Sequence, residues 1–507
     1  MSSTCRAVIL AAGKGSRLVP LTENKPKCLV RVYGKPILGY QIDAFLDNGI
    51  KDIIVVAGYK FDMVKRFVDE NYGGNVKVLE NRDYDTTNNM YSLYLLKDYI
   101  NGESFFLCNG DVIFDKTILS SYLQLEDENS TIFYDSECFS DESMKIVIDK
   151  EGYVRSISKD IKSHKASGCS IDLYFFKRKE SELLFDEMRK IIEVDDNKVQ
   201  WTEVAILKLV KNPEVFVKPF DIAGKRWVEI DTLEDLLIAD IEFSQLKSLL
   251  RNKRIFFIDM DGTIYIGNRP VSGAKQLISK LKSSKRQFYL LSNNSSRTKV
   301  DYVYKLRNMG IEINDKNIIL STDGVIDYFK REEIKKLFIL GTESVVKFFE
   351  SCGFLIDCDN PEAIVLTYDT DINYEKIKKA ALLIQQGKEF IATHCDKVCP
   401  TENGPIPDVG SMIKMFEVAT GVRPKVFGKP NPEMVGYILK RANISPRDVV
   451  IIGDRLYTDL KLAKEIGVDF VCVLSGETTR LDIDELPAGS FPDLVVKDIS
   501  VLVDLVS

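Results

Sequence analysis

The amino-acid sequence predicts an α/β chain: two doubly wound Rossmann-like domains in tandem, the second with an inserted α/β segment. Three observations carry that expectation. Short, nearly continuous apolar runs alternate with helical patterns along all 507 residues, as parallel strands covered on both faces require. A strand leading into a phosphate-type turn occurs twice, at Ala7–Gly15 and again at Ile255–Gly262. Lastly, about 135 residues lie between Asn293 and Lys429 and carry strand and helix patterns of their own.

Taken in order, the first domain opens on the strand pattern Ala7–Leu10 and continues through Ile53–Ala57 and Phe105–Leu107. Thr232–Leu250 reads as one helix, with apolar residues three and four apart, and Asn252-Lys253-Arg254 ends the pattern. The boundary is therefore expected near residue 250, giving domains 1–250 and 251–507. The second domain restarts at Ile255–Ile258 and adds Phe288–Leu291 and Val449–Ile452, with Lys336–Leu340 and Ala363–Thr367 inside the insertion.

Composition narrows the function classes. A formal net charge of −7 lacks the basic excess of a nucleic-acid binder, so anionic substrates need local basic groups and metal ions. No apolar run is long enough to span a bilayer, and nothing near the strand pattern Arg6–Leu10 has a signal-peptide layout. The ten cysteines are scattered without a CxxC pair, and Cys395, Cys399 and His394 are too few for a zinc site. A cytoplasmic protein is expected, with oligomeric state left open.

The first turn, Leu10-Ala11-Ala12-Gly13-Lys14-Gly15-Ser16-Arg17, follows a buried strand. Small residues let the backbone approach a triphosphate, successive N–H groups can face its oxygens, and Lys14 and Arg17 add charge. Downstream come Lys25-Pro26-Lys27-Cys28-Leu29-Val30, Gly34-Lys35-Pro36-Ile37-Leu38, Asn109-Gly110-Asp111 and Trp227-Val228-Glu229-Ile230-Asp231-Thr232. By residue type alone, Asp111 and Asp231 suit either a metal ion or the capping of a following helix. Together these runs resemble the sugar-phosphate nucleotidyltransferase superfamily over roughly residues 5–245. The resemblance implies that Leu10, Ala11, Ala12, Gly13, Lys14, Gly15 and Arg17 bind the nucleotide, that Lys27 contacts phosphates at the reacting centre, and that Asp111 and Asp231 hold Mg²⁺. The stretch Asn81-Arg82-Asp83-Tyr84-Asp85-Thr86-Thr87-Asn88-Asn89-Met90-Tyr91-Ser92 looks like the bacterial phosphocholine cytidylyltransferase branch. That branch uses CTP and small phosphorylated alcohols or phosphonates. Asn81 and Asn88 become candidates for the base region, with a polar turn as the alternative. Asp172, Trp201 and Glu203 are candidates for the acceptor pocket, since an aromatic beside an acid suits a quaternary ammonium. Ordinary packing is the alternative there.

The second turn is sharper. Phe256-Phe257-Ile258-Asp259-Met260-Asp261-Gly262-Thr263 delivers two aspartates from a buried strand, followed by glycine. Leu291-Ser292-Asn293-Asn294, Gly428-Lys429-Pro430 and Ile452-Gly453-Asp454-Arg455-Leu456-Tyr457-Thr458-Asp459 follow in order. This set resembles haloacid dehalogenase superfamily phosphatases, in the p-nitrophenylphosphatase and pyridoxal-phosphatase-like branch with a large α/β cap. The resemblance implies Asp259 as nucleophile, Asp261 as general acid and base, and Ser292, Asn293 and Asn294 as phosphate-binding residues. It implies Lys429 as the charge-neutralising lysine and Asp259, Asp261 and Asp454 as Mg²⁺ ligands. The insertion becomes the cap, at about 325–420, with Pro405–Ser411 where it returns to the core. His394 is a candidate substrate contact, with a hydrogen-bonded structural role as the alternative.

The sequence thus leads to a bifunctional enzyme: a CTP-dependent cytidylyltransferase acting on phosphocholine, aminoethylphosphonate or a polyol phosphate, fused to a Mg²⁺-dependent phosphomonoesterase. Its partners are small phosphoesters and a nucleoside triphosphate, with no nucleic acid and no membrane. The competing readings are a sugar-1-phosphate uridylyl- or thymidylyltransferase on the same phosphatase, or one half kept as a non-catalytic nucleotide-binding module.

Overall fold

The computed structural model describes residues 5–125, 129–140, 142–357, 359–399, 404 and 406–506. Pro405, named with the cap's return segment, lies outside the described residues. The chain divides into two compact units: residues 1–243 with 484–489, and residues 244–483 with 490–507. Among the described residues no helix is long and apolar enough to cross a membrane.

In the first unit, the β-branched run Arg6–Ala11 is the centre of a nine-stranded sheet. It pairs in parallel with Asp52–Ala57 on one side and Phe105–Asn109 on the other, so Leu10 stands beside Val56 and Asn109. Val76–Glu80 extends the parallel part, and Gly168–Phe176 joins antiparallel to Phe105–Asn109. Alternate side chains feed two cores, one around Val8, Leu107 and Tyr174, the other around Ile9, Phe106 and Phe45. Because these strands are parallel, their carboxyl ends open at one edge, where α/β sheets place ligands.

The second unit holds two parallel sheets. The first contains six strands in the order Ile318–Leu320, Gln287–Ser292, Ile255–Asp259, Val449–Gly453, Asp469–Val473, Leu494–Val496. The second is five-stranded, with Lys336–Leu340, Ala363–Leu366 and Glu389–Ala392 at its centre and a separate core on each face. It is the independent α/β body that the patterns between Asn293 and Lys429 predict.

One element differs from expectation. The single helix expected over Thr232–Leu250 is two, Leu233–Phe243 and Leu246–Leu249. The Ser244 hydroxyl breaks it by donating to the Asp493 carbonyl at 2.7 Å and accepting from the Leu246 N–H at 3.0 Å. A serine that bonds outside its own helix competes with the helical ladder, and spacing of apolar residues does not reveal that partner.

Candidate active sites

The carboxyl ends of Arg6–Ala11 and Phe105–Asn109 frame a cavity of about 290 Å³ in the first unit. Its wall includes Leu10, Ala11, Ala12, Gly13, Arg17, Lys27, Asn81, Asn88, Asp111, Asp172, Trp201, Glu203 and Asp231. Lys14 and Gly15 are not in that wall. Lys14 pairs with Asp85 on the surface, and Gly15 supports Lys27 from behind: a Cβ there would stand 2.7 Å from the Lys27 Cβ.

Three acids converge in this cavity. Asp111, Glu229 and Asp231 present ligand oxygens within 4.8 Å of one another. A two-stranded ribbon brings them together, with Trp227–Glu229 running antiparallel to Val112–Phe114 and the Ile230 N–H donating to the Asp111 carbonyl at 2.9 Å. The buried Gln41 amide holds the turn around Asp111 by donating to the Asn109 and Val112 carbonyls at 2.6 and 2.8 Å. Thr232 and Asp235 cap the following helix reciprocally: the Thr232 hydroxyl accepts from the Asp235 N–H at 3.3 Å, and the Asp235 carboxylate accepts from the N–H groups of Thr232 and Asp231, so the Asp231 carboxylate is left for the cavity. Lys27 Nζ bridges Asp111 at 2.9 Å and Asp231 at 2.7 Å, and Arg17 reaches Asp231 at 2.8 Å. Burial works to raise the Asp231 pKa, but Lys27 and Arg17 outweigh it and hold the carboxyl below its usual range. At Glu229 the charges of Lys159 and Lys27 are outweighed. Burial, then the charges of Asp111 and Asp231, push it up to about 7. Asp111 Oδ1 is buried and has no hydrogen-bond partner among the described residues. Such an orphaned carboxylate oxygen among three acids fits a divalent cation.

Behind the acids lies a second carboxyl pair. Asp172 sits at φ 54° where pairing between Gly168–Phe176 and Ser130–Asp135 shifts register, and that irregularity turns it into the cavity. Asn109 Nδ2 donates to Asp172 at 3.1 Å and to Glu203 at 3.3 Å, and the Tyr174 hydroxyl lies 3.0 and 3.3 Å from the same two groups. Burial raises both pKa values, Asp172 well above the ordinary carboxylate range, with Glu203 its next-largest cause. Trp201 is half exposed, and Lys159 Nζ stands 5.4 Å from its ring centroid. Asn81 is buried and works within its own turn, donating to Thr87 and Ser92 and accepting from the Asp83 N–H. Asn88 caps the helix Asn89–Tyr94.

Sequence reasoning missed Glu229 and Lys159. Glu229 is two residues from Asp231 at the end of a short strand, and period-two spacing was the available signal. Lys159 had none, because only the fold carries it to the cavity.

In the second unit Asp259 ends its strand, and Asp454 follows the neighbouring strand Val449–Gly453. Asp459 comes from the helical turn Leu456–Leu460 and joins them, with ligand oxygens of all three within 4.8 Å. Lys429 Nζ, almost wholly buried, bonds Asp259 and, at 2.6 Å, Asp459. Burial alone would lower the lysine's pKa, but the two carboxylates reverse that and raise it. Burial, then the charges of Asp259 and Asp459, push Asp454 up to about 8. Its Oδ2 accepts from the Glu477 N–H at 2.7 Å while its Oδ1 has no partner among the described residues, so this cluster also fits a divalent cation. The Asp261 carboxylate stands apart from the three and accepts from the Tyr265 hydroxyl at 3.0 Å. Burial raises its pKa, with Lys305 opposing.

The Ser292 hydroxyl accepts from the Asn294 N–H, and Asn294 Oδ1 accepts from Ser296. The Asn293 side chain is fully engaged with Lys429 and Asp396. His394 is buried between Thr393 and Asp408, at 3.2 and 3.0 Å, the hydrogen-bonded structural position.

Comparison with known proteins finds a different family in each half of the chain. A nucleotidyl transferase family model matches residues 6–196. A haloacid dehalogenase-like hydrolase model matches residues 256–355, and a HAD-hydrolase-like model matches 426–502. An acid sugar phosphatase of Staphylococcus haemolyticus is 29% identical over 252 residues, covering 49% of this chain and 96% of that protein. A 4-nitrophenylphosphatase structure from Thermotoga maritima is 38% identical and covers 51% of this chain and 99% of its own, with a TM-score of 0.49. A glycerol phosphate phosphatase from Mycobacterium tuberculosis in complex with magnesium is 26% identical over 50% of this chain and 78% of its own, with a TM-score of 0.47. The chain therefore joins, in one polypeptide, a nucleotidyl transferase domain and a haloacid dehalogenase-like hydrolase domain, a transferase and a hydrolase.

Proposed function

We propose that the first unit transfers CMP from CTP to a small phosphorylated alcohol or phosphonate, and that the second hydrolyses a different phosphomonoester through an aspartyl-phosphate. In the transfer, an acceptor phosphate or phosphonate oxygen bonds to the α-phosphorus of CTP. The bond from that phosphorus to the bridging oxygen breaks, and pyrophosphate leaves. Lys27 and Arg17 offset the negative charge that opposes this approach. Magnesium would be held by Asp111, Glu229 and Asp231 in the first site. In the second, Asp259, Asp454 and Asp459 would hold it, with Asp261 the further candidate from sequence. When bound, it supplies neutralisation of phosphoryl oxygens.

The observation that carries the acceptor class is the buried pair Asp172 and Glu203 in the wall of the same cavity as the three acids. Two carboxyls that burial holds toward the neutral form are relieved by a cationic group, and a half-exposed tryptophan lies beside them. This supports an amine or quaternary ammonium on the acceptor, as in phosphocholine or an aminoalkyl phosphonate, over a polyol phosphate.

In the hydrolase unit a carboxylate oxygen of Asp259 attacks phosphorus, and the ester oxygen leaves with a proton from Asp261. Water then attacks the aspartyl-phosphate and gives its proton to Asp261, and the bond from phosphorus to Asp259 breaks. The deciding experiment is a pyrophosphate-release screen of CTP against phosphocholine, 2-aminoethylphosphonate and polyol phosphates. Release with CTP and an amine-bearing acceptor is expected. Silence with every CTP pair, combined with turnover of UTP or dTTP and a sugar 1-phosphate, would overturn the reading.

A further inference from the structure

Asn293 was expected to hold phosphate, yet its side chain is spent on Lys429. It is 5% exposed, in the loop after the strand Gln287–Ser292. Its Oδ1 accepts the Lys429 N–H at 2.8 Å, and its Nδ2 donates to the Lys429 carbonyl at 3.1 Å. One carboxamide thus grips both backbone groups of the lysine. The same Nδ2 donates to Asp396 Oδ1 at 3.1 Å, while Asp396 Oδ2 accepts from Arg455 at 3.2 Å. Asp396 is 3% exposed, and Arg455 follows the acidic residue Asp454 directly.

From this geometry we infer that Asn293, oriented by Asp396, is a positioning residue that fixes the Lys429 ammonium between Asp259 and Asp459. A carboxamide offers two donors and two acceptor sites on opposite sides, so it can satisfy a backbone N–H and a C=O at once only in one orientation. Asp396 selects that orientation, because it accepts and cannot donate when ionised. Lys429 is a long, flexible side chain, and its rotamer freedom would otherwise blur where its charge stands. Held at its backbone and at its tip, it meets the nucleophile in one place. The role is distinct from phosphate binding: both ends of the Asn293 carboxamide face the lysine's backbone.

The test is a double-mutant cycle on the full-length chain, with 4-nitrophenyl phosphate as substrate at saturating magnesium. Asn293→Asp puts an acceptor where the Nδ2 donor stood, facing the Lys429 carbonyl and Asp396. Its kcat is expected to fall roughly a hundredfold with KM unchanged. Adding Asp396→Asn restores a donor facing the new carboxylate, and kcat should recover about tenfold. A raised KM with kcat kept would show that Asn293 binds the phosphate itself and overturn the inference, as would a double variant no faster than Asn293→Asp. If Asn293→Asp does not fold, Asp396→Ala is read instead: about a tenfold loss in kcat supports the inference, and an unchanged kcat sinks it. The inference rests on the phosphatase reading, but the two fail differently. A wild-type chain inert on every phosphomonoester defeats that reading, whereas an active wild type with an unaffected Asn293→Asp defeats only this one.

Discussion

Asp259 accepts the hydrogen bond of Lys429 and is the proposed nucleophile, so Asp259→Asn should cut phosphatase kcat about a thousandfold or more. Pyrophosphate release by the first unit should be unchanged in the same preparation, and an unshifted melting curve of the full chain shows that the second unit is folded. Full phosphatase activity in that variant would remove the assigned nucleophile. Asp454 has a different signature. In the cation-free protein, burial and its acidic neighbours lift it to about 8. The unfolded chain gives up that proton near the ordinary carboxylate value of about 4, and the folded chain keeps it. The stability this group contributes is therefore present at low pH and is lost as pH rises from about 4 toward about 8. A cation must displace the proton, so magnesium affinity should rise with pH up to about 8, with proton release. Calorimetric titration with MgCl₂ in buffers of different ionisation heat checks this, and affinity independent of pH would contradict it.

Legibility in the sequence followed how local each signal was. Asp259, Asp454 and Lys429 were readable because each follows a strand or sits in a short run whose residue types carry chemistry. Asp111 and Asp231 were readable as a choice between ligand and cap. Next to Asp231 the capping work is done by Thr232 and Asp235, a contact that spacing does not reveal. Asn81 and Asn88 were polar residues in a telling stretch; both line the cavity, and their side chains also serve the turn and the helix start.

Among the elements, the turns after strands matter most. Gly262, at φ 87°, and Gly476 both pack against Asp454, and a Cβ at Gly476 would stand 1.9 Å from its Oδ2. Gly476→Ala must push that carboxylate aside, and magnesium affinity of the second unit should weaken roughly tenfold to a hundredfold. The same titration measures it, and wild-type affinity would show that the loop yields instead. Parallel strands were legible as apolar runs, because burial on both faces leaves no alternation to misread. The ribbon that carries Glu229 to Asp111 was not, because three-residue strands leave too little pattern to recognise. The break at Ser244 escaped for the opposite reason: the apolar spacing continues through it, and only a distant carbonyl shows where the helix stops.

For the molecule as a whole, the two chemistries set a constraint on each other. A phosphatase that consumed the transferase's acceptor would make the fusion futile. The preferred acceptor of the first unit should therefore persist when incubated with the full chain and magnesium in the absence of CTP. Rapid release of inorganic phosphate from it would refute the assignment of different phosphoesters.

In both units a lysine ammonium is already lodged among the acids, Lys27 in one and Lys429 in the other. Each pocket thus carries its own resident countercharge, and stripping it of metal does not leave bare anions pressed together. A chelator should silence both activities while the melting curve shifts by only a few degrees, and added magnesium should revive the same molecules without any refolding. Collapse of the fold on chelation would show that the lysines do not stand in for the missing ion.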